Sequence, residues 1–171
     1  MRAYQDMVFS TAARMTGDDA QAEDIAQDVF VKAYENFGQL RGSPAVGGWL
    51  KTVARNLTLN HLTRYRKRRR LFSELNPDSS DEESPGPQPE IPVPDTLLED
   101  LGDEQRRRVI DDALRRLPPH QRLPLVLYHF EEFSYEEIAE RLRISLAKVK
   151  TDIKRGRAAL LPLCQARGIA P

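Results

Sequence analysis

Between residues 71 and 104 this chain carries 11 acidic side chains, no lysine or arginine, and six of its twelve prolines. Few apolar groups interrupt that stretch. It cannot bury enough apolar surface to offset the entropy of ordering it, so an extended, largely disordered linker is expected there. Folded structure must then lie on either side, in residues 1–70 and 105–171, each the size of a small domain.

The flanks have the opposite charge. Residues 1–70 hold 12 basic and 7 acidic side chains, a net of +5, and residues 105–171 hold 14 and 8, a net of +6. The segment between them is at −11, so the chain of 171 residues has a formal net charge of zero. That neutrality hides two basic modules suited to a polyanion.

Other classes drop out on the same grounds. No apolar run approaches the ~20 residues needed to span a bilayer. The start, MRAYQDMVFS, has no basic segment followed by an apolar one, so no secretory signal is expected and the cytosol is the expected compartment. A single Cys164 excludes an internal disulfide and a cysteine-based zinc site, and His61, His120 and His129 are scattered without ligand spacing. No nucleophile–base constellation, phosphate-binding glycine loop or metal-ligand cluster is present, so neither enzymatic chemistry, a cofactor nor a metal is expected.

The helices can be placed from periodicity and caps. Residues 133–161 read as two helices and a tight turn. Ser134 and Glu137 form an S-x-x-E capping box, and Ile138, Ala139 and Leu142 give the first helix its apolar face. Arg143 and Ile144 make the turn, and Ser145 is a second N-cap candidate. Leu146, Val149, Ile153, Gly156 and Leu160 then recur on one side of a helix whose other side carries Lys148, Lys150, Thr151, Lys154, Arg155 and Arg157. An amphipathic pair with a basic second helix is the pattern of a helix-turn-helix, whose second helix enters the major groove. Arg143 stands where such a turn usually takes glycine; a positive φ there would cost about 1 kcal/mol.

Ahead of that motif, residues 105–117 and 120–130 read as helices separated by Pro118-Pro119, and Pro124 is expected to fall in a first turn. In the N-terminal part, residues 3–16 form a helix with a stripe of Met7, Val8, Ala12 and Met15, ended by Gly17. A second helix, 19–37, has Ala22, Ile25, Ala26, Val29, Phe30, Ala33 and Phe37 at 3.6-residue spacing. Its far side, Asp24, Gln27, Asp28, Lys32 and Glu35, is polar and mixed in sign. Residues 38–48 read as a loop, and 49–69 as a third helix with Trp49, Leu50, Val53, Ala54, Leu57 and Leu62 inward. That helix ends in RYRKRRR, six cations and a tyrosine. Cations suit a helix C-terminus, but six exceed capping, and charges this dense call for a polyanion. Asn56 and Asn60 share one face, where amides can read base edges, while Trp49 and Tyr65 offer rings for stacking. The fold class is therefore all-α: two small helical domains joined by a flexible acidic linker, the C-terminal one a helix-turn-helix.

These residues carry a likeness. DDAQAEDIAQDVFVKAYENF, RGSPAVGGWLKTVARN and the basic helix end resemble region two of bacterial extracytoplasmic-function sigma factors. LRRLPPHQRLPLVLYHFEEFSYEEIAERLRISLAKVKTDIKRGRAAL resembles their region four. The resemblance spans the chain apart from the linker. It implies a dissociable RNA polymerase subunit that directs the enzyme to promoter DNA and helps to open it. Residues 1–70 would bind the polymerase clamp through Asp24, Gln27, Asp28, Phe30 and Lys32. They would read the −10 element with Trp49, Asn56 and Asn60, Arg64, Arg66, Lys67 and Arg68 holding phosphates. Residues 105–171 would read the −35 element through Lys148, Lys150, Thr151, Lys154, Arg155 and Arg157. The linker, 71–104, would thread toward the polymerase active site, and an anti-sigma factor is an expected partner. Asp152 departs from the family pattern, so no phosphate contact is carried over to it. Packing of the two domains on each other would bury both DNA faces and act as a switch. The competing expectation, from a different class, is a stand-alone helix-turn-helix regulator of duplex DNA, which would need neither the Asn56/Asn60 face nor the RYRKRRR end.

Overall fold

The computed structural model describes residues 2–75 and 103–165, with the backbone alone at residues 2, 65–75, 103, 104, 106 and 165. Every regular element among them is helical. After a 3-10 turn, α1 (Gln5–Thr16) ends at Gly17, which takes the left-handed conformation at φ 69°. Asp18 caps α2 (Asp19–Glu35), its carboxylate accepting from the Gln21 N–H at 3.1 Å. That bond, opposed by a little burial, holds Asp18 below the usual carboxylate range. Most of the expected stripe is buried: Ala22, Ile25, Val29 and Ala33 meet Val8, Ala12 and Ala13 of α1 and Leu50 and Ala54 of α4 (Val46–Leu75) in the N-terminal core, whereas Phe37, beyond the end of α2, is 50% exposed.

Two local expectations change here. The loop expected at 38–48 is shorter, because Phe37–Leu40 forms a helical turn, α3, and α4 begins at Val46 rather than at 49. Of the glycines in that stretch, Gly47 serves packing instead. A Cβ on Gly47 would stand 3.1 Å from the Tyr4 ring, so the bare position lets α1's leading turn lie against α4. At its other end α4 runs to Leu75, past the expected stop at 69. No proline or glycine falls between Gly48 and Pro77, so nothing in the chain breaks the helix earlier. Residues 71–75 and 103–104, expected in the linker, are thus helical. Residues 76–102 of that expected linker lie outside the described residues.

The C-terminal domain comprises α5 (Asp103–Arg116), α6 (Pro119–His129), α7 (Tyr135–Leu142) and α8 (Leu146–Gln165). Pro119 occupies the first helical position, where its missing N–H costs nothing. Pro124 does not lie in the first turn as expected. It leaves the His120 carbonyl without a helical donor, and His120 is exposed, so water can take that role. Gly156 lets α8 close on α6, since a Cβ there would stand 3.3 Å from the Gln121 carbonyl oxygen.

α6 is buried on every side from Arg122 to Leu127. A helix apolar all round must be covered all round. One side meets α8, and another meets α1 of the N-terminal domain. Met15 of α1 and Leu59 of α4 are members of the same apolar cluster as Leu114, Leu123, Leu127, Phe133 and Ile138. The two domains are docked.

Candidate nucleic-acid interfaces

The helix-turn-helix is built by its caps. Ser134 Oγ accepts from the Glu137 N–H at 3.1 Å while the Ser134 N–H donates to Glu137 Oε2 at 2.8 Å, the reciprocal capping box read from the sequence. α7 ends on Arg143 at φ 54°, ψ 48°, so the turn does place a non-glycine residue in the left-handed region, at a cost of about 1 kcal/mol. The turn recovers bonds in return. The Ile144 N–H reaches the Ala139 carbonyl at 3.1 Å, and Ser145 Oγ caps α8 by accepting from the Lys148 N–H at 3.2 Å.

Val149, Ile153 and Gly156 bury the inner side of α8, and Lys148, Lys150, Thr151 and Lys154 are exposed on the other. The six expected DNA-facing residues are not equivalent, however. Asp152 is only 2% exposed, and Lys148 Nζ turns toward it, 3.1 Å from Oδ2. Half-buried Arg157 donates from Nε to His129 Nε2 at 3.1 Å, and its guanidinium lies over the Tyr128 ring at 5.6 Å from the centroid. Lys150, Thr151 and Lys154 are exposed on this helix, and Arg155 is half-buried.

In the N-terminal domain Asn56, Asn60 and Arg64 are exposed along one side of α4, while Trp49 is half-buried against the core. Arg66, Lys67 and Arg68 lie on the same helix, among residues whose side chains are not described. On α2, Asp24, Gln27, Asp28 and Lys32 are exposed, whereas Phe30 packs into the core.

That α2 face holds two residues the periodicity did not single out. Val31 is 57% exposed and Tyr34 78%, next to Gln27 and Asp28 at helical spacing. Both interrupt a polar face with apolar surface, and that mismatch is the signal that could have found them. Docking also fails to do what was expected of it. Asn56, Asn60, Lys150, Thr151 and Lys154 all stay exposed with the domains packed, because the contact uses other sides of α4 and of the C-terminal domain.

Residues 1–69 match the family model for sigma-70 region 2, and residues 107–160 that for sigma-70 region 4. The chain is 33% identical to the ECF RNA polymerase sigma factor SigW of Bacillus subtilis over 158 residues, 92% of this chain and 82% of the relative. It is 30% identical to the RNA polymerase sigma-H factor of Pseudomonas aeruginosa, covering 92% of this chain and 80% of the relative. The chain belongs to the extracytoplasmic-function sigma factors. It is a DNA-binding sigma factor of transcription initiation, and its two helical domains are regions two and four. The ECF RNA polymerase sigma-E factor of Escherichia coli is a third such relative, 30% identical over 92% of this chain and 80% of its own length. A solved structure of the sigma factor RpoE with the anti-sigma factor NepR from Bartonella quintana aligns with a TM-score of 0.48 at 23% identity, over 95% of this chain and 92% of that one. No described helix of this sigma factor is long and apolar enough to cross a membrane.

Proposed function

We propose that this sigma factor works as two modules, residues 1–70 and 105–171, joined by the acidic tether 71–104. Residues 1–70 seat on core RNA polymerase through the exposed α2 face: Asp24, Gln27, Asp28 and Lys32 supply charge and amide contacts, Val31 and Tyr34 the apolar area, and Phe30 supports the face from the core. Asn56 and Asn60 on α4 read unstacked bases of the −10 element with Trp49 beside them, and Arg64, Arg66, Lys67 and Arg68 hold adjoining phosphates. Lys150, Thr151, Lys154 and Arg155 enter the major groove at the −35 element, with Lys148 and Arg157 at its margins. The protein acts in the cytoplasm without catalytic chemistry of its own, and an anti-sigma factor is a further partner.

The observation that carries this reading is the exposure of two separate reading faces, one amide-bearing and one basic, on different domains of one chain. Two weak modules gain effective concentration only when their sites lie on one partner. Co-elution with core polymerase tests it. The wild type is expected to co-elute, and a variant altered at Asp24, Gln27, Asp28 and Tyr34 is expected to fail while still binding duplex DNA. If neither co-elutes and both bind duplex DNA, the chain acts as a stand-alone regulator.

A further inference from the structure

The turn that joins α7 to α8 holds a charged side chain where the backbone favours none. Two non-glycine residues among the described ones have positive φ, Glu132 at 59° and Arg143 at 54°, and they stand on either side of α7. Glycine enters that region freely, whereas a Cβ there crowds the following carbonyl oxygen. Arg143 is therefore strained in a way that glycine in its place would not be.

The fold gains from Arg143 only what its main chain provides, and glycine would provide the same. Its N–H closes α7 on the carbonyls of Ala139 and Glu140, and the next N–H, of Ile144, reaches Ala139 at 3.1 Å. The Arg143 side chain is exposed and forms no ion pair or hydrogen bond among the described residues, although exposed Glu140 lies three residues before it. The negative pole of α7 does not call for it either. Arg141 already stands in the last turn, its guanidinium over the Phe133 ring at 4.7 Å from the centroid. A strained residue whose side chain serves nothing inside the molecule points to a contact outside it.

Its position says what that contact is. Arg143 lies two residues ahead of Ser145, the cap of α8. The inference rests on the −35 reading above, in which α8 enters the major groove. A side chain in the turn at the entry of that helix borders the sugar–phosphate strand that walls the groove. Phosphates there call for cations, and two of those expected along α8 are engaged within the protein. Lys148 Nζ stands 3.1 Å from Asp152 Oδ2, and Arg157 Nε donates to His129 Nε2 at 3.1 Å. Arg143 lies in the turn rather than on α8, so helical spacing passed it over. Its guanidinium is planar, permanently charged and able to donate to two phosphate oxygens at once.

We propose that Arg143 is a further DNA-binding residue of this sigma factor, donating to a backbone phosphate of duplex DNA beside the −35 element. It sets the register of α8 rather than reading a base, because phosphate contacts position a protein and carry no sequence information.

The test uses the full chain, whose Lys150, Thr151 and Lys154 stay exposed with the domains packed, and a labelled duplex that the wild type selects from a randomised pool. Anisotropy titrations over a range of salt read affinity and its salt dependence. Arg143→Gly is expected to reduce the slope of log K against log salt by about 0.9, the contribution of one phosphate contact, and to weaken binding several-fold at low salt. The loss should be the same for the selected duplex and for one of unrelated sequence. The urea midpoint of Arg143→Gly is expected to stay level or rise, since the turn keeps its main-chain bonds and loses its strain. Arg143→Lys should retain the slope. Glu132→Gly relieves the same kind of strain on the other side of α7 and should leave the slope unchanged. A lowered midpoint in Arg143→Gly, with affinity lost only in step with folding, overturns the inference, because Arg143 would then serve the fold. An equal drop in slope in Glu132→Gly overturns it too. If the wild type binds and Arg143→Gly matches it in affinity and slope, the inference alone falls. If the wild type binds no duplex, the −35 reading falls and the inference with it.

Discussion

Gly17→Ala should be among the most damaging small substitutions in this chain, and most of its cost should arise in the other domain. Gly17 sits at φ 69°, where a Cβ costs about 1 kcal/mol. That Cβ would also stand 2.3 to 2.8 Å from three guanidinium atoms of Arg122. The arginine side chain can swing away, but only by releasing the carbonyls of Thr16 and Leu117. Hydrogen bonds to a charged group contribute about 1.5 kcal/mol or more each, so their loss adds about 3 kcal/mol. The expected total is about 4 kcal/mol, of which only the backbone part is independent of Arg122. A double-mutant cycle in urea separates the two. In an Arg122→Ala background, Gly17→Ala should cost about 1 kcal/mol. Equal costs in both backgrounds would refute the argument, because the glycine would then serve the backbone alone.

Two further outcomes follow from caps and titration. Ser134→Ala removes the acceptor for the Glu137 N–H and should lower stability by about 1 kcal/mol, seen as a lower urea midpoint, with −35 binding weakened only as far as folding is lost. Burial raises the Glu131 carboxyl above the ordinary glutamate range, against the pull of Lys51, Arg55 and Arg14, so the docked form holds that proton more tightly than the open form. The contribution of Glu131 to docking is therefore greatest below its ordinary pKa and is lost as pH rises through the raised value. The comparison is with Glu131→Gln. Energy transfer between dyes on the two domains that changes with pH identically in the two proteins would refute this assignment.

Much of the architecture was readable because it is local. Ser134, Glu137 and Ser145 announce the helix-turn-helix by caps that involve only neighbouring residues, and the α2 stripe is a matter of spacing. Docking is not local. Its one trace in the chain is the run Leu123-Pro124-Leu125-Val126-Leu127, more apolar than one-sided packing against α8 requires. Nothing in the sequence singles out Arg122, and only contact between α1 and α6 makes it a buried cap. Arg157 counted as a groove cation by helical position, yet His129 and Tyr128 engage it from α6, which spacing along α8 does not represent; the Lys148–Asp152 pair, at i and i+4 of one helix, was legible. Val31 and Tyr34 were passed over for the reverse reason, since a stripe analysis assigns apolar residues to the core.

The two sides of α8 have different consequences for how such a protein can diverge. Val149, Asp152, Ile153 and Gly156 are committed to the fold, whereas positions 147, 150, 151 and 154 are exposed and contribute nothing to the apolar core. On the proposed reading, substitutions at the second set would alter what the major groove meets while leaving the apolar core untouched. A duplicated copy of this chain could therefore acquire a new set of target promoters through a few surface changes, without a compensating change in its interior. The Asn56/Asn60 side of α4 has the same freedom, so the two half-specificities can drift independently.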